Sequence, residues 1–113
     1  MYQKYKDMSF PEKLFELSFS EIIGYIDENY THTPTAFKNG ELMNEAHENQ
    51  GSARTFYFAR LHMLSESDTL RLFAEHYESV LKDVSGNSHQ NIRSFMKYGW
   101  QGVEFYGTVL ESR

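Results

Sequence analysis

The run ARTFYFARLHML at residues 53–64 decides how this chain is read. Wound as a helix, it puts Phe56, Ala59 and Met63 on one face and Tyr57, Leu61 and Leu64 on another, so apolar groups point almost all round. Such a helix cannot lie on a surface. It demands a central position with other elements packed around it, and Ser52 is expected to cap its start.

The flanking sequence supplies those elements. Upstream, Phe10-Pro11 opens a short helix in which Phe10, Leu14 and Leu17 follow at helical spacing. Ser18 with Glu21 has the form of a capping box, and Phe19, Ile22, Ile23, Ile26 and Tyr30 then recur at intervals of three and four. Pro34 ends any helical course. Downstream, Ser65 and Asp68 make a weaker box for a long helix with core face Leu70, Phe73, Ala74, Tyr77, Leu81 and Val84, stopping at Ser85-Gly86-Asn87. Ser88 caps a further helix carrying Ile92, Phe95 and Met96 and closing near Gly99.

Two stretches change period. Asn39-Gly40 is the preferred pair for a type I′ hairpin turn, a register that sets Phe37 against Leu42 and Lys38 against Glu41. Val103-Glu104-Phe105-Tyr106 alternates and predicts a C-terminal edge strand. Between the hairpin and the central helix, residues 44–52 hold almost nothing to bury and read as a polar loop. The expected fold is therefore mainly α, a small α+β domain of about five helices with one short hairpin near Asn39-Gly40. No repeat, linker or low-complexity segment divides residues 1–113, which read as a single domain with residues 1–9 as a flexible lead.

Bulk properties agree with one core. A chain of 113 residues buries roughly two-thirds of its extended surface, and nine Phe with eight Tyr supply a ring-rich interior. Sixteen acidic against eleven basic residues leave a net charge of -5. Lys4, Lys6 and Lys13 are mixed with acids, and Arg54, Arg60, Arg71 and Arg93 are spread over different helices, so a nucleic-acid partner is not expected. Cysteine is absent, which removes disulfides, thiolate nucleophiles and thiolate metal sites and suits a reducing compartment. No apolar stretch approaches a signal-peptide core or a membrane span, so neither general secretory export nor a membrane partner is expected.

Polar groups concentrate in two places: the loop from Asn44 to Ser52, and the segment His89-Gln90-Asn91 with Arg93. One interpretation is a site in which a carboxylate or amide orients a histidine and Arg93 holds an anion. The other, and the stronger, is that these side chains cap helix ends and satisfy loop backbone. Both require the two segments to meet, and His89 and Arg93, a helical turn apart, are expected to point toward Asn44, Glu45 or Asn49. Glu45, His47, Glu48 and His89 are acceptable metal ligands, but no metal motif is present, and no metal or cofactor is expected. His62 and His76, each beside apolar neighbours in a helix, read as partly buried residues. No nucleophile elbow and no phosphate loop occurs; with no catalytic motif, a non-enzymatic role is favoured.

Three runs carry a family resemblance: YTHTPTAFKNG at 30–40, NEA at 44–46 with NQGS at 49–52, and HQNIRSFMKYGW at 89–100. The pattern resembles the HopJ type III effector family over roughly residues 14–110. The resemblance implies an effector delivered from the bacterial cytoplasm into a host cell, acting through contacts with a host protein or a component of the secretion system. The alternative is a resident cytoplasmic protein with a small polar ligand-binding or catalytic pocket. His47 stands where the family commonly has Gly, and Ala53 where it often has Cys, which argues against either position as shared chemistry. Asn39, Asn44, Asn49, His89, Asn91 and Arg93 fall on the matching pattern and, with Glu45, form the candidate polar site.

Overall fold

The computed structural model describes residues 12–113; the lead at 1–9 and the Phe10-Pro11 helix entry lie outside the described residues. Beyond a 3-10 turn at Glu12–Glu16, five α-helices and five short strands follow: α1 (Phe19–Asn29), β1 (Tyr30–His32), β2 (Phe37–Asn39), β3 (Leu42–Asn44), α2 (Gln50–Leu61), α3 (Glu66–Arg71), α4 (Glu75–Lys82), α5 (Gln90–Tyr98), β4 (Val103–Phe105) and β5 (Leu110–Ser112). The expected small α+β fold with five helices, a hairpin and a C-terminal edge strand is what the chain adopts.

The helix α2 is the axis of the core. Ala53, Thr55, Phe56, Phe58 and Ala59 are all buried. The Phe56 ring lies 5.1 Å from Phe73, 5.0 Å from Phe95, 6.3 Å from Phe37 and 6.4 Å from Trp100, so one side chain joins α2 to α5, β2 and the segments on either side. Offset and edge-on ring packing of this kind adds to the large apolar area each ring buries. Helix α1 docks beside it: Ser18 Oγ accepts from the Glu21 amide at 3.2 Å while Glu21 returns a carboxylate to the Ser18 amide at 3.0 Å. Ile22 and Ile26 then face inward. Arg54 donates to both oxygens of Asp27 at 2.8 and 2.9 Å, tying α2 to α1 at the surface.

The hairpin is present in a different register. Phe37 pairs with Asn44, Lys38 with Met43 and Asn39 with Leu42, so Gly40-Glu41 forms the loop in place of Asn39-Gly40. A positive φ of 64° at Gly40, the first loop residue, follows the type II′ pattern. Asn39 is withheld from the turn because its amide is fully buried against Asn91 of α5. β4 pairs with β2 and forms the outer strand of the order β3-β2-β4. A second pair, β1 with β5, joins Tyr30–His32 to Leu110–Ser112; Tyr30 therefore starts a strand and does not extend α1.

The long helix expected over residues 70–84 is interrupted. α3 ends at Arg71, α4 begins at Glu75, and Ala74 between them has φ 53° and ψ -124°. The break resets the helical phase. Leu72, Phe73 and Val80 become the buried positions, while Leu81 and Val84 turn outward at 48% and 80% exposure. Met63 and Met96, assigned to core faces by periodicity, are exposed as well.

Candidate functional site

Three asparagines from three elements form a buried amide cluster. Asn39 of β2, Asn44 of β3 and Asn91 in the first turn of α5 are at most 6% exposed. Asn39 Nδ2 donates to the backbone carbonyl of Asn91 at 2.9 Å and to its Oδ1 at 3.0 Å. Asn44 and Asn91 exchange amide bonds, Nδ2 to Oδ1, at 3.2 and 3.0 Å. Asn49, the residue before α2, donates to Asn44 Oδ1 at 2.7 Å. Ser94 Oγ adds a bond to the Asn39 carbonyl at 2.8 Å. The hairpin, the polar loop and the start of α5 are thus pinned together, with Asn39 Oδ1 buried and unpaired. An amide can donate and accept at once, and this is why amides, not carboxylates, close a buried ring of this sort.

A cleft of about 470 Å³ opens beside the cluster, where α2 and α5 both begin. Phe19, Phe73 and Ile92 give it apolar walls, Asn49, Ser52, His76, His89 and Gln90 polar ones, and Gly51 and Asn91 complete the lining. Asn49 and His89 occupy the N-cap positions with left-handed φ values of 51° and 52°, and neither helix has a side-chain cap. Asn, with its short polar side chain, tolerates that conformation well, and His is also enriched there. Intrahelical donation begins at the Ala53 amide in α2, which donates to the Asn49 carbonyl, and at the Ile92 amide in α5, which donates to the His89 carbonyl. The amides before them belong to the donors that an α-helix leaves without internal partners at its start. On the cleft wall the His76 and His89 rings pack against each other with centroids 4.9 Å apart, and Phe19 packs edge-on against His76 at 4.9 Å.

The other expected site residues go elsewhere. Arg93 donates Nη1 to the Val84 carbonyl at 3.0 Å and its Nε to the Ser88 carbonyl, so it staples the loop between α4 and α5 and meets neither Glu45 nor Glu48. Glu45 offers its backbone amide to the Glu48 carboxylate at 3.0 Å, a local turn. His89 and Arg93 do not share a face toward the polar loop: His89 is not a helical residue, and its left-handed backbone turns its ring to His76. Gln50, the first residue of α2, is an anchor the sequence did not single out. Its Oε1 accepts from the Thr35 amide at 3.0 Å and contacts His32 Nε2 at 3.1 Å, while its Nε2 donates to the carbonyls of Thr35 and Glu48. Among the described residues there is no group of three or more side chains placed to hold a metal ion, and no helix is long and apolar enough to cross a membrane.

Comparison with known proteins adds a family and a fold relative. A family model described as HopJ type III effector protein matches residues 5–110. No match is found among curated proteins. Among solved structures, the chain is similar to the crystal structure of VPA0580, a protein of unknown function, at 36% identity and a TM-score of 0.89, covering 100% of this chain and 95% of that one.

Proposed function

The chain belongs to the HopJ type III effector protein family, and on that premise we propose that it works as a binding protein, recognising a small anionic group in the cleft between Asn49 and His89. The observation that carries this reading is the pair of adjacent histidines, His76 and His89, with ring centroids 4.9 Å apart in a cleft whose lining mixes the polar Asn49, Ser52, Gln90 and Asn91 with the apolar Phe19, Phe73 and Ile92. Two imidazoles and the first-turn amides of α2 and α5 supply N–H donors, and among the described residues no carboxylate lines the space, the Glu75 carboxylate beside it being engaged by the Phe19 amide at 2.9 Å. Ser52 brings a hydroxyl to the cleft, but no hydrogen bond joins it to either imidazole as a nucleophile–base pair would require, and a set of donors of this kind suits recognition.

Titration with inorganic phosphate tests it. Phosphate is expected to raise the melting temperature progressively at millimolar concentration, as any ligand of the folded state does, and to shift the amide resonances of Gly51, Ser52, Gln90 and Asn91. His76→Ala and His89→Gly, glycine being the residue that adopts the left-handed backbone of position 89 without strain, should lose the increment that phosphate adds, measured against each variant's own phosphate-free melting temperature. Phosphate shifts that spread evenly over the surface, or that survive both substitutions, would remove the cleft from consideration.

A second reading has its own support. An effector acting through contacts with a host protein or a component of the secretion machinery needs an exposed docking face, and Leu81, Val84 and Met96 expose apolar surface on α4, on α5 and on the segment between them. Delivery itself is tested by following the tagged protein in strains with and without a type III apparatus; appearance outside the cell in both would remove the export route.

A further inference from the structure

The groove between α4 and α5 is separate from the histidine cleft and differs in chemistry. Val80, Val84 and Met96 form its apolar lining, with Gly86 at the connecting loop and Arg93 and Lys97 as its charged side chains, around a volume of about 280 Å³. Val84 is 80% exposed and Met96 45%. Both charged residues are cationic in a chain whose net charge is -5. Among the described residues neither forms a salt bridge: the Arg93 guanidinium is held by the carbonyls of Val84 and Ser88, and the Lys97 ammonium lies 5.1 Å from the Tyr98 ring centroid, while the Asp83 carboxylate stays folded against Gly86 at the connecting loop. The surface thus concentrates positive charge around an apolar strip while the molecule as a whole repels anions.

We propose that this groove docks an acidic amphipathic helix of a partner protein, its apolar face on Val84 and Met96 and its carboxylates toward Arg93 and Lys97. The inference rests on the contact-based reading of function and is independent of the anion cleft. A groove between two helices is the usual receptor for a helix presenting residues at i, i+3, i+4 and i+7. Methionine adapts its unbranched side chain to the shape of such a face. Arg93 is preorganised, because its fork is already fixed by two carbonyl acceptors and loses little further freedom on pairing. The cationic rim selects the partner by charge: a basic helix of the same apolar pattern meets like charge there.

Two synthetic helical peptides test this, alike in their leucine stripe but flanked by Glu in one and by Lys in the other. The Glu peptide is expected to bind saturably, with resonance shifts at Val80, Val84, Met96 and Lys97, and to weaken as salt is raised. The Lys peptide should not bind. Lys97→Glu, a change at an exposed position, should weaken the Glu peptide by roughly tenfold and admit the Lys peptide. Met96→Lys should abolish binding of the Glu peptide. The Lys97 and Met96 variants are first shown to melt as the parent does, and His89→Gly should bind the Glu peptide normally, which separates this result from the fate of the cleft. Equal binding of both peptides, no saturable binding of the Glu peptide, or a dimer in sedimentation that Met96→Lys disperses and the Glu peptide does not compete with would each overturn the proposal.

Discussion

Replacing Asn91 by alanine removes the keystone of the amide cluster. Its side chain makes three bonds: Oδ1 accepts from Asn39 and from Asn44, and Nδ2 donates to Asn44 Oδ1. The consequences differ among the partners left behind. Asn39 Nδ2 keeps the Asn91 backbone carbonyl at 2.9 Å, and Asn44 Oδ1 keeps the Asn49 amide at 2.7 Å. Asn44 Nδ2 retains only the Phe37 carbonyl at 3.4 Å, near the limit of a hydrogen bond, so one donor is left almost unsatisfied in a residue 3% exposed. An orphaned buried polar group costs about 1–3 kcal/mol and each lost bond about 1 kcal/mol net, which places Asn91→Ala at about 3 kcal/mol of destabilisation. That corresponds to a fall in melting temperature of about 10 °C or more for a domain of this size. Urea denaturation followed by circular dichroism should show a lower midpoint with an unchanged slope. The double variant Asn44→Ala/Asn91→Ala should cost clearly less than the sum of the single variants, because their shared bonds are lost only once. A loss below about 0.5 kcal/mol, within the range of ordinary surface substitutions, would refute the structural role of the cluster.

Two further outcomes follow from local geometry. Ala74→Gly should stabilise the protein by about 1 kcal/mol, since φ 53° with ψ -124° is a conformation that glycine adopts freely and alanine does not; an unchanged or lower denaturation midpoint would show that Ala74 is not strained. Burial lowers the His62 imidazole below its ordinary value of 6.5, beside a Tyr30 hydroxyl at 2.9 Å whose own ionisation burial pushes up. The unfolded chain therefore takes up the proton more readily than the folded one, and stability that is complete above about pH 6.5 declines as the pH falls. His62→Gln should flatten that decline between about pH 7 and pH 5, above the range in which Glu75 protonates, because the Phe19 amide holds the Glu75 carboxyl below its ordinary value of 4.5. An identical pH slope in parent and variant would assign the effect elsewhere.

How far the sequence could be read depended on whether the deciding interactions were local. The Ser18–Glu21 box lies within four residues, and both of its bonds formed. Gly99 likewise closes α5 with a positive φ of 65°. By contrast, nothing in Leu72-Phe73-Ala74 forbids a helix, yet the chain breaks there. The break leaves Thr69, Leu70, Leu72 and Phe73 buried and turns Leu81 and Val84, which a continuous helix would keep on the same side as Leu70, out to solvent. The tertiary gain from Phe73 against Phe56 and Phe19 thus outweighs both lost helical bonds and a strained alanine. The β1–β5 pair was equally hidden, since its two three-residue strands are separated by most of the chain and neither carries a distinctive period.

The polar site divides along the same line. Composition alone indicated that the two amide-rich segments needed partners, and Asn39, Asn44, Asn49 and Asn91 do meet across separations of up to 52 residues. Direction within the site was not legible. The spacing of His89 and Arg93 implies a common face only if both are helical, and His89 is the left-handed residue before the first turn. One backbone angle therefore sends the two side chains to different partners, His76 in α4 and the Val84 carbonyl beyond its end. His89 meets His76 on the cleft wall, while Arg93 reaches back to Val84 and becomes the fixed cation of the groove. The same angle puts His89, and not the expected Ser88, at the N-cap of α5, which has no side-chain cap.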